Sequence, residues 1–199
     1  MAMLPREAIE AMGFASVGEN VRISDRASFY GNSCIRIGSN VRIDDFCVLA
    51  AGIGGIEIGN YVHIAVGSSL IGAGKISLSD FSGLSSRVSV YSSSDDYSGT
   101  TLTNPTLPSE FTGVTHADVL LGKHVIVGSG SVILPGVELE VGVAVGALSL
   151  ITKSCAAFGI YAGNPARRVS ERKRDLLEVE RCLWKRLDKV TCLSQSGLA

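Results

Sequence analysis

Residues 121–151 read LGKHVIVGSGSVILPGVELEVGVAVGALSLI, and every sixth position is aliphatic: Leu121, Val127, Ile133, Leu139, Val145 and Ile151. A period of six is neither the 3.6 of a helix nor the 2 of a strand. It suits a chain that coils in flat triangular turns, each side one short strand, with one inward residue per side stacked on its counterpart a turn later. An alternating β-sandwich would instead show period-two stretches and turn signals every 8–12 residues, which the unbroken six-residue register fits badly.

The same period runs through the earlier chain. It joins Val17, Ile23, Phe29 and Ile35, slips by two, and resumes at Ile37, Ile43 and Leu49. After another break it joins Ile58, Ile64, Leu70 and Ile76, and then Leu78, Leu84 and Val90. Gly18, Gly38, Gly59, Gly122, Gly128 and Gly146 follow repeated positions, where a Cβ at a corner would crowd the next turn. The 23 glycines follow from this, as does the 6% aromatic content, since large rings fit poorly inside a narrow prism.

Three segments break the register. Residues 1–16, with Ala8, Ile9 and Met12 at helical spacing, are expected to cap the open end. The prism itself is expected over 17–168, with an inserted loop at about 92–118 rich in Ser, Thr, Asp and Pro. A long excursion from a compact solenoid points to function or disorder. Residues 169–199 form the third segment. From Glu171 to Val190 the apolar positions Leu176, Leu177, Val179, Leu183, Leu187 and Val190 predict an amphipathic helix. Nine of the 18 basic residues follow Ala166, which reads as a solvated helix face.

A net charge of −1 argues against nucleic acid as a main partner. The chain has no run of 18 apolar residues and no visible secretory signal. Cys34, Cys47, Cys155, Cys182 and Cys192 form no CxxC and read as buried, reduced thiols of a cytoplasmic protein.

Two further stretches carry a resemblance. Ile160-Tyr161-Ala162-Gly163-Asn164-Pro165-Ala166-Arg167 and Ile133-Leu134-Pro135-Gly136-Val137 are similar to two signatures of the hexapeptide-repeat acetyltransferases. The resemblance runs from about Val17 to Arg168. It implies an all-β fold, a left-handed parallel β-helix with a long inserted loop and a C-terminal α-helix. It also implies a homotrimer in which acetyl-CoA lies between neighbouring prisms.

In the sugar-acetylating branch a loop histidine is the base, a few residues after a strand resembling Val88-Ser89-Val90-Tyr91. Counting forward places Asp95 there instead, so this chain departs from the pattern. Three explanations compete. Asp95, with its neighbour Asp96 or burial raising its pKa, acts as base; His116, at the far end of the loop, swings back to the cleft; or the acceptor is an amine that needs little help. For both aspartates the competing role is that of turn residues satisfying loop amides. Ser94-Asp95-Asp96-Tyr97-Ser98-Gly99 followed by Thr103-Asn104-Pro105 resembles acetyltransferases of bacterial surface-polysaccharide clusters, which makes Tyr97 and Asn104 candidate substrate contacts.

On the cofactor side the resemblance points to Ser129 and Ala147, eighteen positions apart on one edge, then Thr152 and Lys153, and finally Arg167 and Arg168 for phosphates. Their smallness, for Ser129 and Ala147, is equally what a tight corner requires. Of the other histidines, His124 reads as polar filler at a corner and His63 as outward-facing. A zinc centre like that of γ-class carbonic anhydrases would need all three histidines, and their spacing does not match that class. The expected function is therefore acetyl transfer from acetyl-CoA, without a metal, to a hydroxyl of a sugar or sugar nucleotide in surface-polysaccharide synthesis. N-acetylation of a nucleotide-linked amino sugar is the alternative, and a catalytically silent scaffold or a carbonic-anhydrase-like metalloprotein are the rivals outside acyl transfer.

Overall fold

A computed structural model of the chain describes residues 2–196, with side chains through Leu187. The chain winds into a parallel β-helix of about seven turns and three faces. Face one stacks Ser16–Val17, Ile35–Ile37, Ile56–Ile58, Ile76–Leu78, Val119–Leu121 and Glu138–Leu139. Face two stacks Arg22–Ile23, Arg42–Ile43, His63–Ile64, Gly83–Leu84, Ile126–Val127 and Ala144–Val145. Face three stacks Ser28–Tyr30, Val48–Ala51, Ser69–Gly72, Ser89–Tyr91, Val132–Ile133 and Leu150–Ile151.

The six-residue repeat is the inward column of each face. On face two Ile23, Ile43, Ile64, Leu84, Val127 and Val145 are register partners in succession and are all buried. A second buried column, Val21, Val41, Val62, Ser82, Val125 and Val143, lies two residues earlier on the same turns. The slip of two arises at the corner between faces three and one. Phe29 to Ile37 spans eight positions, Leu49 to Ile58 nine and Leu70 to Leu78 eight, whereas Ile133 to Leu139 spans six. Ile35 and Ile37 both point inward, as do Ile56 with Ile58, Ile76 with Leu78, Val119 with Leu121 and Val137 with Leu139, so this face carries two core columns throughout and the extra residues of the wider turns sit at the corner before it. The long loop leaves from this same corner, between Tyr91 and Val119.

Corner glycines at the next vertex are required by close approach: a Cβ on Gly38 would sit 2.6 Å from the Gly59 carbonyl oxygen. The left-handed residue of that corner is instead Asn20, Asn40, Tyr61, Phe81, His124 and Gly142 on successive turns, with φ from 54° to 72°.

Helix Arg6–Ala11 buries Ile9 over the N-terminal end, with Leu4 and Phe14 packed against the core. At the other end Gly159–Gly163 joins face two, and Ala166–Glu171 folds back antiparallel to it. That pairing keeps Glu171 extended, so the C-terminal helix begins at Leu176 rather than at Glu171 and runs to Ser196. The side chains of Val190 and Cys192 lie outside the described residues. Cys47 and Cys155 are buried free thiols, but Cys34 and Cys182 are exposed, which corrects the expectation of burial for those two.

The helix corrects the reading of His124 as well. Tyr61, Phe81 and His124 occupy the same left-handed slot one turn apart, so their rings stack, at 4.9 Å and then 5.1 Å between centroids. Trp184 lays its edge against Tyr61 and Phe81. Glu180 accepts from Lys123 Nζ at 2.5 Å and from Trp184 Nε1 at 2.9 Å, and pairs with His124 Nε2 at 2.8 Å. The His124 side chain is 9% exposed and docks the helix. No described helix is long and apolar enough to cross a membrane.

Candidate active site

The loop begins and ends as a two-stranded ribbon, with Ser93 paired to His116 and Ser94 to Thr115. Its neck is tied to the prism. Ala117 N–H donates to Ser92 O, buried Ser92 Oγ donates to Gly74 O, and Asp118 accepts from Lys75 N–H. His116 therefore does not swing in from a distant end but is fixed beside the start of the loop. Ser93 Oγ accepts from Ala73 N–H at 2.8 Å and lies 2.7 Å from His116 Nδ1. The Ser93 hydroxyl, which has a second lone pair as well as its proton, pairs with Nδ1 in either tautomer, and the contact fixes the orientation of the ring with Nε2 on its far side.

Asp95 and Asp96 have different surroundings. Asp95 is exposed, and its carboxylate has no partner among the described residues. Asp96 accepts from Ser98 N–H, Thr101 N–H and Thr101 Oγ1 at 2.8–3.0 Å. These bonds, those from Ser98 first, hold its carboxyl well below the usual carboxylate range. It is built as a turn anchor. Tyr97 is 92% exposed. Asn104 turns its Oδ1 to Thr106, which donates from both N–H and Oγ1.

The residues assigned to the cofactor fall in two places. Ser129 and Ala147 stand on adjacent turns at the corner between faces two and three, where Leu148 N–H donates to Ser129 O at 2.9 Å. Thr152, Lys153, Arg167 and Arg168 surround a cavity of about 340 Å³ at the C-terminal end, floored by Ile151, Cys155 and Tyr161. Arg168 pairs with Glu171, and among the described residues Arg167 reaches only the neighbouring Ala166 carbonyl.

Sequence reasoning missed what lies on the outside of face two. Asp44, on the turn below His63, has a side chain only 8% exposed. It accepts from Arg42 Nε at 2.7 Å and pairs with His63 Nε2 at 2.8 Å. Burial opposes its charge, but the bonds to Arg42 and His63 outweigh this and keep its pKa below the ordinary value. His63 in turn borders an open cavity of about 300 Å³ with Gly83, Ser85, Ser86, Ile126 and Ser129. The available signal was register, since Arg22, Arg42 and His63 precede the inward Ile23, Ile43 and Ile64 by one position each. Each histidine thus has its own partner, and among the described residues no three potential metal ligands converge.

No family model matches the chain. It is 56% identical over 180 residues to the dTDP-4-amino-4,6-dideoxy-D-glucose acyltransferase of Escherichia coli, covering 90% of this chain and 94% of that one. This chain belongs to the hexapeptide-repeat acyltransferase family. It is an acyltransferase, and the family's β-helix is left-handed. A solved relative is AntD of Bacillus cereus, an N-acyltransferase in complex with dTDP and 3-hydroxybutyryl-CoA. It is 43% identical, with a TM-score of 0.90 over 94% of this chain and 98% of that one. AntD structures also exist with an aspartate replaced by Asn or Ala, and with a serine replaced by Ala, Cys or Thr. Escherichia coli K12 WbbJ, a putative lipopolysaccharide biosynthesis O-acetyl transferase, is 24% identical over 80% of this acyltransferase and 72% of WbbJ.

Proposed function

We propose that this acyltransferase moves an acyl group from the thioester of an acyl-CoA to the amino group of a dTDP-linked 4-amino-4,6-dideoxy sugar. The 56% identity to the Escherichia coli enzyme over nearly the whole of both chains carries the reading. It displaces the hydroxyl acceptor expected from the sequence, for which the named relative is only 24% identical.

The site's chemistry suits an amine. The amine nitrogen attacks the thioester carbonyl, the tetrahedral intermediate collapses by breaking the carbon–sulfur bond, and the CoA sulfur leaves as thiolate and is protonated. The nitrogen must lose a proton, and Asp95, an unengaged carboxylate, is the group free to take it, unlike Asp96, whose oxygens are committed to the turn. His116 is held by Ser93 through Nδ1, and in the tautomer with its proton on Nε2 the ring is suited to stabilise developing negative charge. The AntD variants change an aspartate and a serine, the residue types of Asp95 and of Ser85 or Ser86 here.

In one chain Asp95 stands at the corner between faces three and one, and Ser129 and Ala147 at the corner between faces two and three, with the whole of face three between them. A second copy bringing its loop to this chain's face two completes the site, and a homotrimer, the assembly the family resemblance implies, is a closed arrangement that gives every copy one. Dependence on acyl-CoA and a nucleotide sugar suits the cytoplasm. The test is thiol release from acetyl-CoA with dTDP-4-amino-4,6-dideoxyglucose, with the amide product identified by mass. Release with a hydroxyl sugar but none with the amino sugar refutes the reading.

A further inference from the structure

Face two changes character along its length. Its outward positions are Arg22, Arg42, His63, Gly83, Ile126 and Ala144, consecutive register partners on neighbouring turns. The lower three are basic or imidazole side chains, and the upper two are apolar. Between them is a residue with no side chain.

Gly83 is not required by the backbone. It has no left-handed φ, and a Cβ built there would meet nothing nearer than the His63 carbonyl oxygen at 3.8 Å, an ordinary contact. The corner glycines, by contrast, would bring a Cβ to within 2.5–3.1 Å of the next turn. A glycine inside a strand that is not needed for backbone reasons often marks a place where a ligand or another backbone approaches closely. The cavity of about 300 Å³ lies over it, bordered by His63, Ser85, Ser86, Ile126 and Ser129.

The basic column is held in place from below. Asp44 spends one oxygen on Arg42 and the other on His63 Nε2, so a single buried carboxylate sets both side chains on the outer surface. Arg22, one turn further down, is exposed and has no side-chain partner among the described residues.

We infer that the nucleoside-diphosphate sugar acceptor lies lengthwise on face two, its diphosphate on Arg22, Arg42 and His63 and its sugar ring over Gly83. This rests on the proposed function and assigns the residues that read the acceptor. The direction follows from the reaction. The sugar nitrogen must meet the thioester, and Ser129 and Ala147, which the family resemblance gives to the cofactor, stand on the turns above Gly83, so the charged end points down. Strand spacing of about 4.8 Å per turn puts Arg42 roughly 10 Å and Arg22 roughly 14 Å from Gly83, within reach of a diphosphate met by long guanidinium side chains. Ser85 and Ser86 then border the ring.

Calorimetry with dTDP, and steady-state kinetics with the dTDP-amino sugar and acetyl-CoA, test the placement. Arg22→Ala, at an exposed position, is expected to weaken dTDP about tenfold or more while the KM for acetyl-CoA stays within about twofold. Gly83→Val is expected to raise the KM of the amino sugar about tenfold or more yet leave dTDP affinity within about threefold, because it fills the ring's place and not the phosphates'. Gly83→Ala, adding one carbon where there is room, should show the same pattern at a smaller size. If the wild type binds dTDP and acylates the amino sugar while all three variants do so with unchanged affinity and KM, the placement is overturned and the function stands. If the wild type neither binds dTDP nor acylates the amino sugar, the function itself fails and the placement with it.

Discussion

Replacing Asp95 by Asn removes a charge and almost nothing else. The carboxylate is exposed, without a hydrogen-bond or ion-pair partner among the described residues, and the amide has nearly the same shape. No described native contact is lost, so the melting temperature should stay within about 2 °C, the scale of a surface substitution in a chain this size. Turnover should respond very differently, because a positioned general base is worth about 100- to 10,000-fold. The informative measurement is thiol release with the dTDP-amino sugar, taken with melting curves of Asp95→Asn and Asp96→Asn. Asp96→Asn should loosen the loop instead, since three donors lose their ionised acceptor, and limited proteolysis across residues 92–118 should quicken. Asp95→Asn that turns over at the wild-type rate would refute the assignment of the base, and one that melts far below the wild type would refute the claim that the carboxylate has no structural duty.

Ser82 interrupts a column of buried valines, and its hydroxyl has no partner among the described residues. Ser82→Val should therefore stabilise the protein by about 1–2 kcal/mol in thermal denaturation. Ile64→Ala, at a fully buried position between Ile43 and Leu84, should cost about 2–5 kcal/mol and lower the melting temperature by roughly 5–15 °C. Glu180 is held at about 2, below its ordinary 4.5, by Lys123 first and then by Trp184 and His124 against the opposing effect of burial. Being a depressed carboxylate, it gives stability that is complete above about pH 4.5 and is lost as pH falls toward 2. The fluorescence of Trp184, the chain's single tryptophan, should report helix release across that window in the wild type, and Glu180→Gln should flatten the dependence.

The prism was legible because its core repeats. Leu121 to Ile151 marks one inward residue per side, and that spacing survives whatever the outward residues are. The slip of two between Ile35 and Ile37 was visible as a break, but its meaning, extra residues at one corner ahead of a side that keeps its two inward columns, needed the turns stacked. The contacts of the outer surface were harder to read because they join residues a whole turn apart. Asp44 and His63 are 19 positions from each other, and Tyr61, Phe81 and His124 are separated by 20 and 43. Counting three positions on from Ile58, Leu78 and Leu121 finds all three rings, so the register held that information too. For Asp95 the sequence supplied the residue and left its role open among neighbours. The structure separates it from Asp96 by the hydrogen bonds that only one of them accepts.

One vertex of the triangle tolerates changes of length. Successive turns carry two, three, two and then some twenty-five residues beyond the basic hexad there, while the stacked sides above and below keep their alignment. The fold thus separates the part that must stay constant from the part that can be exchanged. Transplanting residues 92–118 from a related enzyme, with any length that closes on the Ser92 and Asp118 ties, is a route to new acceptor preferences on an unaltered scaffold.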